Sequence, residues 1–440
     1  MAELFSWLQT PLAFLFVLGV LVFIHELGHF LVARWHGVRV ITFSLGFGPK
    51  LVKVTRGDTE YCISLVPLGG YVKLAGETVE DAPLGAPDEF LSKSKWVRFQ
   101  VYLAGPVMNL LLALVVLAGV LSQGADVSLY EQSPPIVGGI SAGSPAEAAG
   151  LKVGDRINTV NGEAVPTWES LQIAVLPKAN RELRLGVQRD GQTIDVLVTP
   201  RAFTKYELGD IGVLPVMRPQ VLDVVADRPA MKGGLQKGDV VIAFNGQRGT
   251  AQPDIIKGLR ASPGKPVVMT VERPGVETLV DVTVVPEGSV GSATIGATIY
   301  PWEVRRIDPN LAQAFRMSAE KNWADTVLIG KTLKGLFTTE TPVKQLMGPL
   351  AIGELAGNAA KLGWVELFGL MAMISLNLGL INLMPVPVLD GGHIAILAVE
   401  GLARRDLSIR VKERILMVGA AMIVLLMVTV IFNDVARLLR

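Results

Sequence analysis

Two histidines and a glutamate stand in an otherwise apolar stretch near the start of the chain. The segment FIHELGHFLVARW places His25, Glu26 and His29 within a run that is apolar enough to cross a bilayer. A helix carries residues i and i+4 on one face, so both imidazoles can reach one zinc ion, and Glu26 can act on the water that zinc activates. Because polar groups at membrane depth need partners, the pattern predicts a zinc site. The competing interpretation is two histidines satisfied by interhelical hydrogen bonds.

A catalytic zinc needs a third protein ligand and an open position. Of the four histidines in the chain, His36 lies among charged loop residues and is expected to be solvated. The remaining candidates are His393 and a carboxylate within NLGLINLMPVPVLDGGH, where Pro385 and Pro387 must disrupt a regular helix. Asp390 follows this break and is the predicted ligand. Its alternative role is to cap the helix that comes next.

The composition predicts a membrane protein. Half of the 440 residues are hydrophobic, 18% are charged, and the mean hydropathy is +0.44. A net charge of +1 gives no electrostatic argument for nucleic acid. Since Cys62 is the single cysteine, an internal disulfide framework and a multi-cysteine zinc site are both excluded.

Four uncharged or nearly uncharged segments are predicted to span the bilayer, which takes roughly 17–25 apolar residues. They are Pro11–Ala33, Phe99–Leu121, Leu367–Leu389 and Ile415–Phe432. In the second span, GPVMN is expected to break the helix locally, with its last residue, Asn109, in a packing or gating role.

The distribution of lysine and arginine predicts the orientation. Basic residues concentrate in residues 34–98 and 403–414, so these loops should be cytoplasmic and the long segment 126–303 should face outward. Arg437 and Arg440 mildly oppose this scheme.

The outward segment contains an internal repeat. AGLKVGDRINTVNG at Ala149–Gly162 and GGLQKGDVVIAFNG at Gly233–Gly246 share Gly-Leu, Gly-Asp, an apolar strand and an Asn-Gly turn. The pattern resembles PDZ domains, which bind extended peptides at a sheet edge. The alternative is two structural β modules without a ligand.

Two further segments are predicted to lie at the membrane. Leu51–Gly76 alternates β-forming residues around an Arg-Gly-Asp turn, which predicts a hairpin followed by another strand. An exposed edge there could pair with an unwound substrate, although a plain cytoplasmic hairpin explains the same pattern. Residues 304–340 mix apolar and basic side chains, as in a helix on the membrane surface or a packed connector.

The predicted fold is a polytopic α-helical membrane protein with four transmembrane helices, a membrane-associated β-hairpin or sheet, and two inserted PDZ-like α+β domains. The predicted divisions are helices one and two with the β region (1–125), two PDZ-like domains (126–214 and 215–303), an amphipathic connector (304–361), and helices three and four (362–440).

The motifs HELGH, LAGPVMN and NLMPVPVLDGG, in this order, make the chain similar to the site-2 protease family of intramembrane zinc metalloproteases. The resemblance implies one zinc per chain, bound by His25, His29 and Asp390, with Glu26 as general base and acid. It also implies that Asn382 contacts the substrate backbone; the alternative role of this asparagine is helix packing.

The resemblance further implies the substrate and the location. The substrate would be a single-pass membrane protein already shortened on its outer side, such as an anti-sigma factor or a remnant signal peptide. The enzyme would lie in the inner membrane of a Gram-negative cell, with the repeats in the periplasm and the active site toward the cytoplasm. The rival functions are a PDZ-bearing membrane scaffold with a structural zinc and a zinc or proton transporter; the scaffold has no use for Glu26, and a transporter would be expected to have more spans or inverted repeats.

Overall fold

The structure is a computed structural model that describes residues 2–77, 85–205, 207–338 and 341–439. The chain forms two compact units. The helical unit comprises Met1–Gly124, Asp308–Phe337 and Leu346–Arg440, and the β-rich unit comprises Ala125–Ile307 and Thr338–Gln345.

In chain order the helices are α1 (Ala2–Trp35), α2 (Lys95–Leu121), α3 (Pro145–Ala148), α4 (Trp168–Val175), α5 (Pro229–Lys232), α6 (Gln252–Arg260), α7 (Leu311–Phe337), α8 (Pro349–Leu362), α9 (Trp364–Asn382), α10 (Asp390–Leu402) and α11 (Ile409–Leu438). The strands are β1 (Val40–Arg56), β2 (Thr59–Leu74), β3 (Ala125–Ser128), β4 (Gly139–Ile140), β5 (Arg156–Val160), β6 (Glu163–Ala164), β7 (Leu183–Arg189), β8 (Gln192–Val198), β9 (Arg201–Phe203), β10 (Leu208–Asp210), β11 (Val213–Leu214), β12 (Gln220–Val224), β13 (Val240–Phe244), β14 (Gln247–Arg248), β15 (Val267–Glu272), β16 (Val280–Val284), β17 (Ala297–Tyr300) and β18 (Val304–Ile307).

Among the described residues, four helices are long and apolar enough to cross a membrane, and they lie in α1, α2, α9 and α11. The third ends at Asn382 instead of continuing to Leu389, because Pro385 and Pro387 follow and proline has no backbone N–H for a helix. The expected break at GPVMN is wrong: α2 continues through Pro106, so the loss of one donor does not interrupt it.

The connector also differs from its prediction. Val304–Ile307 is not helical but forms β18, which pairs with β3, so the strands that enter and leave the β-rich unit lie side by side. Helix α7 begins at Leu311. One of its faces packs on α2, where Ser318 Oγ donates a hydrogen bond of 2.8 Å to the Leu114 carbonyl, and Trp323 is exposed. Residues 339–340, at the end of the predicted helix, lie outside the described residues.

Strands β1 and β2 form one sheet in which β2 lies on both sides of β1. Ser44, for example, pairs with Cys62 on one side and Tyr71 on the other. The predicted hairpin is present, with Arg56 opposite Thr59 across the turn. As a result, the last part of β2, Gly70–Leu74, is paired in this sheet only with β1 and forms one of its edges.

The two sequence repeats form two similar cores in the β-rich unit. The first has the strand order β6-β5-β7-β8 and the second the order β16-β15-β13-β12-β17, with β14 on β13. Each repeat has the same ion pair at equivalent positions: Arg189 binds Asp155 at 2.6 Å and Arg273 binds Asp239 at 2.8 Å. The Arg189 hydrogen bonds hold the pKa of the Asp155 carboxyl below its usual range.

Candidate metal centre

Helix α1 supplies the first half of the site. It is continuous from Ala2 to Trp35, so the i and i+4 spacing brings the rings of His25 and His29 to 4.9 Å between centroids. The glycines of the two motifs allow α1 and α2 to approach closely. A Cβ on Gly28 would lie 2.5 Å from the Ala104 carbonyl oxygen, and a Cβ on Gly105 would overlap the His29 ring.

The second half comes from the irregular backbone between α9 and α10. Val388 has φ of 83°, a left-handed conformation that β-branched residues rarely adopt, and Asp390 follows as the first residue of α10. Carbonyl oxygens of the 383–386 segment lie so close to Gly391 and Gly392 that neither position has room for a side chain. This packing turns the backbone inward and directs Asp390 toward α1.

The three predicted ligands meet at one point. The distance between the Nε2 atoms of His25 and His29 is 3.2 Å. Asp390 Oδ2 lies 3.2 Å from Nε2 of His25 and 3.5 Å from Nε2 of His29. Zinc ligands at about 2.0–2.2 Å in tetrahedral geometry lie roughly 3.3–3.6 Å from one another. The donor set and its spacing therefore fit zinc, with a fourth position left over.

Neighbouring groups hold both imidazoles in place. His29 Nδ1 lies 2.7 Å from the Val101 carbonyl oxygen, which fixes the proton on Nδ1 and leaves Nε2 free for a metal. The side-chain amide nitrogen of Asn109 lies 3.1 Å from Nδ1 of His25, while its Oδ1 is buried without a partner. A metal on Nε2 requires Nδ1–H to donate, and a half-turn of the isosteric amide places Oδ1 there as the acceptor.

Asn109 is thus a site residue whose role was not foreseen from the sequence, where packing or gating was expected. Its spacing from Gly105 on α2 carried a signal, because one helical turn separates the glycine that contacts the imidazoles from an amide that can reach them. The Ser375 hydroxyl on α9 donates a hydrogen bond of 2.8 Å to the Asn109 carbonyl oxygen and links this part of α2 to the third span.

The candidate ligands open into a polar cavity of about 310 Å³. Its lining includes Glu26 and Asn382, so the structure brings the predicted proton carrier and the predicted substrate contact to the same place as the ligands. The edge Gly70–Leu74 also contributes, and a Cβ on Gly70 would lie 3.0 Å from Cγ of Glu26.

The other histidines take different positions. His36 is not simply solvated, since its Nε2 lies 2.6 Å from Gln100 Oε1. His393 lines the metal cavity, but it is outside the group of three described residues whose ligand atoms lie within 4.8 Å of one another. Asp390 occupies the first turn of α10, and Leu389 is the N-cap, so the alternative capping role does not describe its position.

Comparisons with known proteins find relatives that match nearly the whole chain. The model of peptidase family M50 matches residues 13–426. A putative zinc metalloprotease of Neisseria meningitidis is 35% identical over 98% of this chain and 100% of its own length. The protease RseP of Yersinia pestis is 34% identical over the same shares of the two chains. The regulator of sigma-E protease RseP of Escherichia coli K12 is 33% identical, also over 98% of this chain and 100% of its own.

Proposed function

Because the chain belongs to peptidase family M50, the zinc metalloproteases of the site-2 type, we propose that it hydrolyses a peptide bond within or near the transmembrane segment of a single-pass membrane protein. The observation that best supports this proposal is that three metal-ligating atoms, spaced as zinc requires, lie in one cavity with Glu26. The proposed ligands of a single zinc are His25, His29 and Asp390.

The chain's own residues then have distinct tasks. A zinc ion held by His25, His29 and Asp390 would supply Lewis acidity, which would lower the pKa of a water and polarise the scissile carbonyl. The Glu26 carboxylate accepts a proton from the attacking water and delivers it to the leaving amide nitrogen. The Asn382 amide binds the substrate backbone.

The decisive test is proteolysis in reconstituted membranes. Wild type and Glu26→Gln are compared on a membrane-spanning substrate, and we expect Glu26→Gln to keep zinc but lose cleavage. Glu320→Gln is the matched control, since Glu320 is exposed on α7 and pairs with Arg316. Normal cleavage by Glu26→Gln would refute Glu26 as the proton carrier, whereas no cleavage by wild type would favour the scaffold with a structural zinc, which has no use for this carboxylate.

The substrate helix must unwind before its peptide bonds can be attacked, and we propose that it pairs with Gly70–Leu74 as an added strand. This edge lines the cavity, and the Leu74 N–H already binds a carboxylate, that of Glu77, at 3.1 Å. A substrate carbonyl can accept the same hydrogen bond.

Disulfide cross-linking tests this pairing. In a Cys62→Ser background, Lys73→Cys is combined with single cysteines along the substrate. We expect the cross-links to recur at every second substrate position, because side chains alternate along a strand. Lys53→Cys on the opposite edge of the sheet is the control. A recurrence every three to four positions would mean that the substrate is bound as a helix.

For the natural substrate we propose an anti-sigma factor, or a remnant signal peptide, already shortened on its outer side. The support is the name of the Escherichia coli K12 relative, which is a regulator of sigma-E protease. The proposed location is the inner membrane, with the β-rich unit in the periplasm. Arg437, which opposed this orientation, forms an ion pair of 3.2 Å with the buried Asp434 and so is no free positive charge.

We propose that the repeats are PDZ-like domains that act as a size filter or docking site. In the first repeat, a cavity of about 580 Å³ lies beside α4 and includes Trp168 and Leu214 in its lining. In the second, Gln252 stands where the first has Trp168, and its amide donates a hydrogen bond of 3.0 Å to the Ile299 carbonyl. Replacing residues 126–303 with a short flexible linker should retain zinc and relax selectivity against intact substrates; unchanged selectivity would refute the filter.

A further inference from the structure

The metal cavity contains a histidine with no role in the mechanism above. His393 lies one turn after Asp390 on α10, and its ring stacks on Tyr102 of α2 at 4.7 Å between centroids and 10° between planes. Both rings line the cavity together with Glu26 and Asn382. The stacking fixes the plane of the imidazole, so the direction of its N–H is set before a substrate arrives.

The ring nitrogens of His393 form no hydrogen bond with any residue that the structure describes, although the side chain is largely enclosed. By contrast, His25, His29 and His36 each have a hydrogen-bonding partner. Because His393 lines the cavity, a ring nitrogen of its side chain can take a group of a bound substrate as its hydrogen-bonding partner. The cavity is where such a partner would be.

A metal ion is not that partner. The ligand atoms of His25, His29 and Asp390 already form a compact set, of which His393 is not a member. A catalytic zinc with three protein ligands leaves its fourth position for the reacting oxygen. A fourth imidazole there would close the site.

We propose that His393 is a catalytic residue that donates an N–H hydrogen bond to the oxygen of the scissile carbonyl. This inference rests on the proposed peptidase function. When the water oxygen forms its bond to the carbonyl carbon, the electron pair of the C=O π bond moves to the carbonyl oxygen, which becomes negative. The neutral imidazole stabilises this charge as a donor and keeps its proton, while Glu26 carries the proton that the water loses.

Kinetics and zinc content together test the assignment. His393→Ala should retain zinc and lower kcat by about 10²–10³-fold, the usual loss for one oxyanion donor, with KM changed little. His393→Gln, which keeps a side-chain N–H, should recover part of the rate. His36→Ala is the control for a histidine outside the cavity and should stay near wild type.

A binding measurement separates stabilisation of charge from shaping of the cavity. In a Glu26→Gln background, His393→Ala should weaken binding of a phosphinic peptide, whose tetrahedral anion mimics the developing charge, by a factor similar to the loss in kcat. Binding of the corresponding uncleaved peptide should be unchanged. Equal weakening of both ligands, a normal kcat, or loss of zinc from His393→Ala would each overturn the proposal. Failure of the proposed function is distinguishable, because wild type itself would then not cleave.

Discussion

The two halves of the metal centre reach the same point with different kinds of backbone. His25, Glu26 and His29 lie on one unbroken helix, and the four-residue spacing alone places the two imidazoles together. Asn382 and Asp390 lie on either side of a non-helical segment, and their positions depend on how that segment packs. The first half is therefore encoded locally, whereas the second is encoded by tertiary contacts.

The irregular half is also the one under backbone strain. A left-handed conformation at a residue such as Val388 costs about 1–3 kcal/mol and persists only where the surroundings enforce it. Here the surroundings are the close contacts of Gly391 with the carbonyl oxygens of residues 383 and 384. We therefore expect the two halves to respond differently to substitutions that leave the ligands themselves intact.

Removing a ligand should have the largest effect, and the loss of zinc affinity should be the same for both halves. His29→Ala and Asp390→Ala each delete one of three proposed donors, so zinc affinity should fall by more than the roughly 10–100-fold typical of losing an outer partner. His393→Ala should spare zinc. Zinc content after dialysis against a graded chelator measures this. If Asp390→Ala kept its zinc while His393→Ala lost it, the second half would have been assigned to the wrong residue.

A single methyl group should distinguish the halves. Gly391→Ala has no room for its Cβ, so Asp390 must move, and both zinc affinity and cleavage should fall even though every ligand is present. Gly19→Ala is the matched control in α1, because its Cβ would meet nothing within 4 Å and alanine is the better helix former by roughly 0.5–1 kcal/mol. Zinc titration and thermal unfolding in detergent measure both. Equal tolerance at the two glycines would remove the distinction between local and tertiary encoding.

The same distinction separates what the sequence could predict from what it could not. The HELGH spacing specifies a helix face by itself, and an aspartate after a proline break is a recognisable signal even before its partner is known. The four apolar helices follow from length and composition. Each of these signals lies within one short stretch of the sequence.

The missed features depend on long-range pairing. Val304–Ile307 becomes a strand only because Ala125–Ser128 lies beside it. Helix α2 continues through Pro106 because packing against α1 and α9 outweighs one lost hydrogen bond. The local sequence around Pro106 does not show how strong that packing is. In the same way, only the pairing of β2 on both sides of β1 identifies Gly70–Leu74 as the edge near Glu26.

Substitution of Asn109 should have the smallest effect on zinc affinity. It tests whether the locally encoded half also needs tertiary support. Its fully buried amide reaches Nδ1 of His25 at 3.1 Å, so Asn109→Ala should leave both histidines on α1 but lose the group that fixes the His25 tautomer. Zinc affinity should then fall about 10–100-fold, the range found for outer partners of metal-binding histidines. Asn109→Asp preserves shape and an acceptor for Nδ1–H, so it should bind zinc more tightly than Asn109→Ala. Ser375→Ala removes a neighbouring hydrogen bond that does not reach His25, and it serves as the control. Unchanged zinc affinity in Asn109→Ala would mean that helix α1 alone determines how His25 binds the metal.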